Sequence, residues 1–154
     1  MKFKELGLRT DNFRVGVVPY GLFTLAGIIL LCILASIMNK QPLALWWTNP
    51  HQQGFFLIVS TLQEFVFRSI LQTNLQKKLS PAKAIVIVAF LYSMVHIFWG
   101  DPVILLLTFV AGLGWGYLWW KTPNLYLISL SHTALNFLIV YFGFFSWLLT
   151  DLFR

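Results

Sequence analysis

Five apolar stretches follow one another along this chain, each close to the roughly 20 residues that a helix needs to cross the hydrocarbon of a bilayer. They run from about Val15 to Met38, Pro50 to Asn74, Pro81 to Trp99, Pro102 to Trp120 and Pro123 to Trp147. In lipid every backbone N–H and C=O must be satisfied inside the protein, and a helix does so segment by segment. The pattern predicts an all-α integral membrane bundle of about five transmembrane helices. Of the 154 residues, 58% are hydrophobic and only 10% charged, a balance that excludes an ordinary soluble domain. A secretory leader would be one short apolar stretch ahead of a polar region, whereas here the apolar segments succeed one another to the end. The single cysteine, Cys32, lies inside the first of them, so neither a disulfide framework nor a cysteine metal cluster is available.

The last four segments each open on a capping-type residue followed by proline: Asn49-Pro50, Ser80-Pro81, Asp101-Pro102 and Thr122-Pro123. The first side chain can accept from a free helix N–H, and proline at the first helical position gives up an N–H that had no partner. Tryptophans 46, 47, 99, 119, 120 and 147 fall at segment ends, as an interfacial belt requires. Eight lysines and arginines lie before segment one, between two and three, and between four and five, against two on the opposite side, Lys40 and Arg154. This asymmetry places the N-terminus in the cytoplasm, with residues 39–53 an external connection that carries Trp46 and Trp47. The +6 net charge is thus read as topology; the basic residues form no stripe for nucleic acid. Partners are expected to be the lipid bilayer and something held in it. The expected location is the cell (plasma) membrane, multi-pass.

An ionisable side chain near mid-bilayer costs roughly 2.5–3.5 kcal/mol on insertion scales, so each one calls for a reason. The few here are Glu64 and Arg68 in segment two, His96 in segment three, and His132, with the amide of Asn136, in segment five. Glu64 and Arg68 are spaced i, i+4, within ion-pair reach on one helix face. A self-neutralising pair that eases insertion accounts for them, and so does a base with its orienting guanidinium. His96, about a turn from the external end, fits an interfacial histidine as well as a functional one. His132 and Asn136, again i, i+4, face one partner helix, which a polar helix contact would explain. Together they supply more than insertion needs: a carboxylate, two imidazoles and an amide are the parts of water-mediated hydrolysis, namely base, proton shuttle and oxyanion donors. His51, in the external loop, reads as a solvated surface residue. Gly112 and Gly116 form a GxxxG step that predicts close helix packing, and Pro19 is placed where it can bend segment one.

The succession Gln63-Glu64-Phe65-Val66-Phe67-Arg68, Tyr92-Ser93-Met94-Val95-His96 and His132-Thr133-Ala134-Leu135-Asn136 resembles the EExxxR, FxxxH and HxxxN motifs of the CPBP (Abi) family, which includes the type II CAAX prenyl endopeptidases. The resemblance covers about residues 53–140. It divides the chain into residues 1–49, a basic segment, first helix and external connection, and residues 50–154, a protease-like core with its motifs within 63–136. It implies a bacterial-type intramembrane endopeptidase in which a glutamate and the first histidine, His96, activate water, while His132 and Asn136 stabilise the oxyanion and Arg68 is structural. Neither cofactor nor metal is implied, and the substrate would be a membrane-associated peptide or protein. Two positions depart from the pattern. Tyr92 replaces a phenylalanine, and Gln63 replaces the first glutamate, leaving Glu64 to act if any carboxylate does. An amide can hold a water but cannot take its proton, and stepping from 63 to 64 turns the side chain by about 100° around the helix. The alternative expectations are a catalytically silent relative acting as adaptor, chaperone or immunity factor, and a small proton or ion carrier.

Overall fold

The computed structural model describes residues 3–42 and 50–144, without the side chains of 50–52. Asn49, Trp46, Trp47, Trp147 and Arg154, with most of the external connection, lie outside the described residues, as does the side chain of His51. The described residues are helical, without strands: α1 is Phe13–Ile37, α2 covers 50–75, α3 is Pro81–Met94, α4 is Pro102–Lys121 and α5 is Leu125–Tyr141. Four of these helical stretches, Phe13–Ile37, Gln53–Leu75, Pro81–Trp99 and Pro102–Lys121, are long and apolar enough to cross a membrane, and α5 is a shorter apolar helix. The fold is the expected all-α membrane bundle.

The helix ends show which starts the sequence marks correctly. Asp101 caps α4, its carboxylate accepting from the Val103 N–H at 2.8 Å. Ser80 precedes α3 without a side-chain cap. Thr122 does not cap α5 at all but closes α4; the cap is Asn124, two residues later, whose side chain accepts from Leu127 N at 3.0 Å. Asn124 wins because its amide also donates to the Arg9 carbonyl and to Asn12 Oδ1, fixing the start of α5 to the N-terminal segment. Segment three ends earlier than expected. α3 stops at Met94, and a separate 3₁₀ turn, Ile97–Trp99, leads to Gly100, whose φ of +66° is a left-handed conformation that glycine adopts without a Cβ penalty.

α1 turns most of its surface to lipid, with Val15, Leu22, Ile29 and Ile37 exposed, and packs against α5 along Tyr20, Leu31 and Ala35. It continues through Pro19 as one helix. α3 and α4 pack closely, backbone near backbone. A Cβ on Gly112 would lie 3.1 Å from the Ala89 backbone, and one on Gly116 would lie 3.0 Å from Ile85. The GxxxG step therefore faces α3 in antiparallel register, 112 against 89 and 116 against 85. Ahead of α1, residues 6–12 form a strap across one end of the bundle. The Leu6 carbonyl accepts from Ser69, the Gly7 carbonyl from Leu125 N, and Asn12 donates to the Pro123 carbonyl.

Candidate active site

α2 is not a uniform helix. Its α-helical part, Pro50–Glu64, gives way to a π-helical stretch, Phe65–Gln72, and then to a final turn, Thr73–Leu75. Four residues in an α-helix overshoot a full turn by about 40°, whereas in a π-helix, with about 4.4 residues per turn, they fall about 30° short. The two errors oppose each other. A stripe of residues spaced by four, Ser60, Glu64, Arg68 and Gln72, thereby stays on one face, and all four are fully buried.

Each member of the stripe has a partner. Arg68 Nε donates to Glu64 Oε2 at 3.2 Å, and Arg68 Nη1 to Gln72 Oε1 at 3.3 Å. Gln72 Nε2 donates in turn to the Gly116 carbonyl on α4 at 2.7 Å. The other oxygen of Glu64 accepts from His132 Nδ1 at 2.8 Å, and Asn136 Nδ2 donates to Ser60 Oγ at 3.0 Å. The pairs 64–132 and 60–136 are two rungs of one antiparallel ladder between α2 and α5. A buried charge is tolerable only when paired and hydrogen-bonded, and Glu64 has both oxygens engaged. Arg68 keeps one unpartnered donor, Nη2, while its guanidinium carbon lies 5.5 Å from the Tyr92 ring centroid.

Tyr92 is the hub of the aromatic surroundings. Its ring meets Phe67, His96, Trp115 and His132 edge-on, with centroids 5.4, 5.0, 6.2 and 5.8 Å away. The Tyr92 hydroxyl lies 3.0 Å from His132 Nε2. With Nδ1 donating to the Glu64 carboxylate, a neutral His132 has an acceptor at Nε2, so the phenol donates. Trp115 covers the other side of the imidazole, 4.5 Å between centroids at 31°, and its indole N–H donates to Ser131, which also accepts from Thr24 of α1.

His96 is placed just past the end of α3, as the residue preceding the 3₁₀ turn. Its Nδ1 lies 2.9 Å from the Tyr92 carbonyl. A carbonyl only accepts, so Nδ1 carries the hydrogen and Nε2 presents a lone pair. Gln63 is partly exposed and makes no side-chain hydrogen bond among the described residues. It lies one turn before Phe67, and His96 lies one turn after Tyr92. The Phe67–Tyr92 contact between antiparallel helices therefore puts Gln63 and His96 at the same level.

The structure thus joins Glu64, Arg68, His132 and Tyr92 in one hydrogen-bonded chain, holds Asn136 one turn along, and sets His96 against the Tyr92 ring. Among the described residues no three His, Cys, Asp or Glu side chains are grouped to hold a metal ion. No motif in the sequence marks Ser60, Gln72 or Trp115; the spacing of four through Ser60, Glu64, Arg68 and Gln72 is the signal for two of them.

Comparisons with curated proteins and with solved structures gave no match. The family model for the type II CAAX prenyl endopeptidase, Rce1-like, matches residues 21–138, a span that holds all three motifs and runs from α1 into α5. By this match over most of its length, the chain belongs to the Rce1-like family of type II CAAX prenyl endopeptidases.

Proposed function

We propose that this protein is a bacterial-type intramembrane endopeptidase of the plasma membrane, N-terminus in the cytoplasm, that hydrolyses a membrane-associated peptide or protein. One observation carries the reading. Three motifs from three helices, far apart in sequence, converge on one buried cluster in which Glu64, His132 and Tyr92 are hydrogen-bonded in series. A cluster that served insertion alone would end at the Glu64–Arg68 pair.

The division of labour follows from which atoms are free. Gln63 cannot take a proton, and both Glu64 oxygens are bound by Arg68 and His132 in a fully buried position. His96 Nε2 is the available lone pair, so it accepts the proton of the attacking water, which Gln63 helps to hold. The water oxygen bonds to the scissile carbonyl carbon, and the carbonyl electrons move onto its oxygen. Asn136, which keeps a second N–H beside its bond to Ser60, donates to that oxyanion, and His132 holds the hydrogen-bonded chain of Glu64 and Tyr92 beside it. Collapse re-forms the C=O and breaks the C–N bond, and His96 returns its proton to the departing amine. Glu64 acts through His132, fixing its tautomer and orientation as a carboxylate does for an imidazole.

The test is cleavage of a fluorogenic prenylated peptide with a C-terminal CAAX sequence by protein reconstituted in liposomes. Wild type and Gln63→Glu should cleave it, whereas His96→Ala and His132→Ala at matched protein should lose at least 10²-fold in rate. Gln63 itself favours one second reading, a silent relative that binds without cutting. Cleavage by Gln63→Glu alone would establish that reading and remove the first.

A further inference from the structure

At the end of the bundle that the strap crosses, the lysines fall into two groups. Lys4, just ahead of the strap, is paired with Asp11, which also takes Arg9. Lys77, Lys78, Lys83 and Lys121 lie on the turn from α2 to α3, in the first turn of α3 and at the end of α4, and none of them joins an ion pair among the described residues. Lys77 donates to a neutral amide oxygen, that of Asn74, at 3.4 Å, so its charge is not offset. Glu64 is buried, and Asp101 caps the opposite end of α4. A count of basic residues sets orientation wherever in the loops they lie; it does not require that they converge.

These lysines do converge, and they stand at the polar end of an apolar wall. Lys121 Nζ lies 4.0 Å from the Trp120 ring centroid and 5.8 Å from that of Tyr117, and both rings are exposed. A ring face holds one side of an ammonium and leaves N–H donors for an anion. The register that sets Gly112 against Ala89 and Gly116 against Ile85 puts Trp120, one turn on, at the level of Pro81, so α4 ends where α3 begins. From Lys83, steps of three, four and seven residues along the same face of α3 reach Val86, Ile87 and Phe90, all exposed. In a bilayer that face meets acyl chains.

We propose that this corner, Lys83 and Lys121 with Lys77 and Lys78 on the adjoining turn, binds the headgroup of an anionic phospholipid whose chains lie along Val86, Ile87 and Phe90. Unbalanced positive charge selects an anionic headgroup, and the ammonium groups donate to its phosphate oxygens. The apolar wall selects a lipid over a free phosphate, because only the lipid has chains to lay against it. The lysine stems run along the same wall with their heads in the headgroup layer. A lipid held there bridges the ends of α3 and α4, away from the motif cluster, and its binding does not depend on whether the protein cleaves a peptide.

Full-length protein in a neutral detergent is titrated by calorimetry with dioctanoyl phosphatidylglycerol, dioctanoyl phosphatidylcholine and inorganic phosphate. Phosphatidylglycerol should bind at least about tenfold more tightly than phosphatidylcholine, and inorganic phosphate should not displace it at matched ionic strength. Lys83→Gln combined with Lys121→Gln should weaken phosphatidylglycerol about tenfold and leave phosphatidylcholine unchanged. Trp120→Leu, which frees Lys121 from its ring, should weaken it about threefold. Lys4→Gln, at a charge that Asp11 already balances, should bind as wild type does. A check that needs no variant is salt: raising it from about 50 to 500 mM should abolish the preference of wild type between the two lipids. Equal affinity for both lipids, a preference that survives high salt, wild-type affinity in the double variant or an equal loss in Lys4→Gln each overturns the proposal. Displacement by inorganic phosphate overturns it too, since the corner would then be a simple anion site.

Discussion

Two clusters of opposite charge in this protein have almost the same bond lengths and very different consequences. Ahead of α1, Asp11 accepts from Arg9 at 2.7 Å and Lys4 at 3.0 Å, at the protein surface with Asp11 and Lys4 exposed. In the bundle, Glu64 accepts from His132 at 2.8 Å and Arg68 at 3.2 Å, with no exposure of the pair. The hydrogen bond from Arg9, then that from Lys4, holds the Asp11 carboxyl well below the usual carboxylate range. Yet water competes for each of those charges, and exposed pairs contribute little to stability. The buried charges have no such alternative. Each lost several kcal/mol of hydration on entering the bundle, and each depends on the others being present. Geometry is shared; dependence is not.

The sharpest way to break the contrast is Arg68→Ala, which leaves the Glu64 carboxylate with His132 alone in a low dielectric. It should cost about 3–5 kcal/mol, seen as a collapse in membrane yield and in unfolding midpoint in detergent. The double change Glu64→Gln with Arg68→Met should recover much of that loss while leaving the site inactive. A wild-type yield for Arg68→Ala would erase the distinction between the clusters. Gln72→Ala comes next: Arg68 loses a second acceptor and the tie to Gly116 disappears, for about 1–3 kcal/mol in the same unfolding measurement. The smallest effect belongs to Asp11→Asn. A carboxyl whose folded value is depressed contributes above the ordinary carboxylate range and loses that contribution as pH falls towards the folded value. The midpoints of Asp11→Asn and wild type should therefore differ marginally at pH 7 and converge in acid. A large gap at pH 7 would mean that the strap pairs are shielded after all.

The helices of the fold were readable because lipid imposes one rule on every segment: a run of apolar residues long enough to span has to be helical. The site was readable where charge is costly, so Glu64, Arg68, His96 and His132 stood out against an apolar background. Gln72 and Ser60 did not, because a neutral polar residue in a helix costs little to insert and is unremarkable until its neighbours are known. The switch from α to π geometry in α2 leaves no mark in apolar periodicity, since only a spacing of four through the polar stripe hints at it. Thr122-Pro123 reads as a helix start because the rule for capping is local; Asn124 takes the role through contacts with Arg9 and Asn12, more than a hundred residues away. The oxygen that separates Tyr92 from phenylalanine reads as a mild change in sequence, and the structure places it on His132.

The strap has a consequence for how the protein is made. Residues 6–12 are made before any of the five described helices, but the groups that receive them are Ser69 on α2 and Pro123, Asn124 and Leu125 at the start of α5. Helices enter the membrane one at a time, in order of synthesis, while the carbonyls of Gly7 and Arg9 wait for partners that are translated more than a hundred residues later. Insertion is sequential, then, but closure waits for α5, which the strap joins to α1. Until α5 is made, the strap lacks the partners that hold it in the finished bundle.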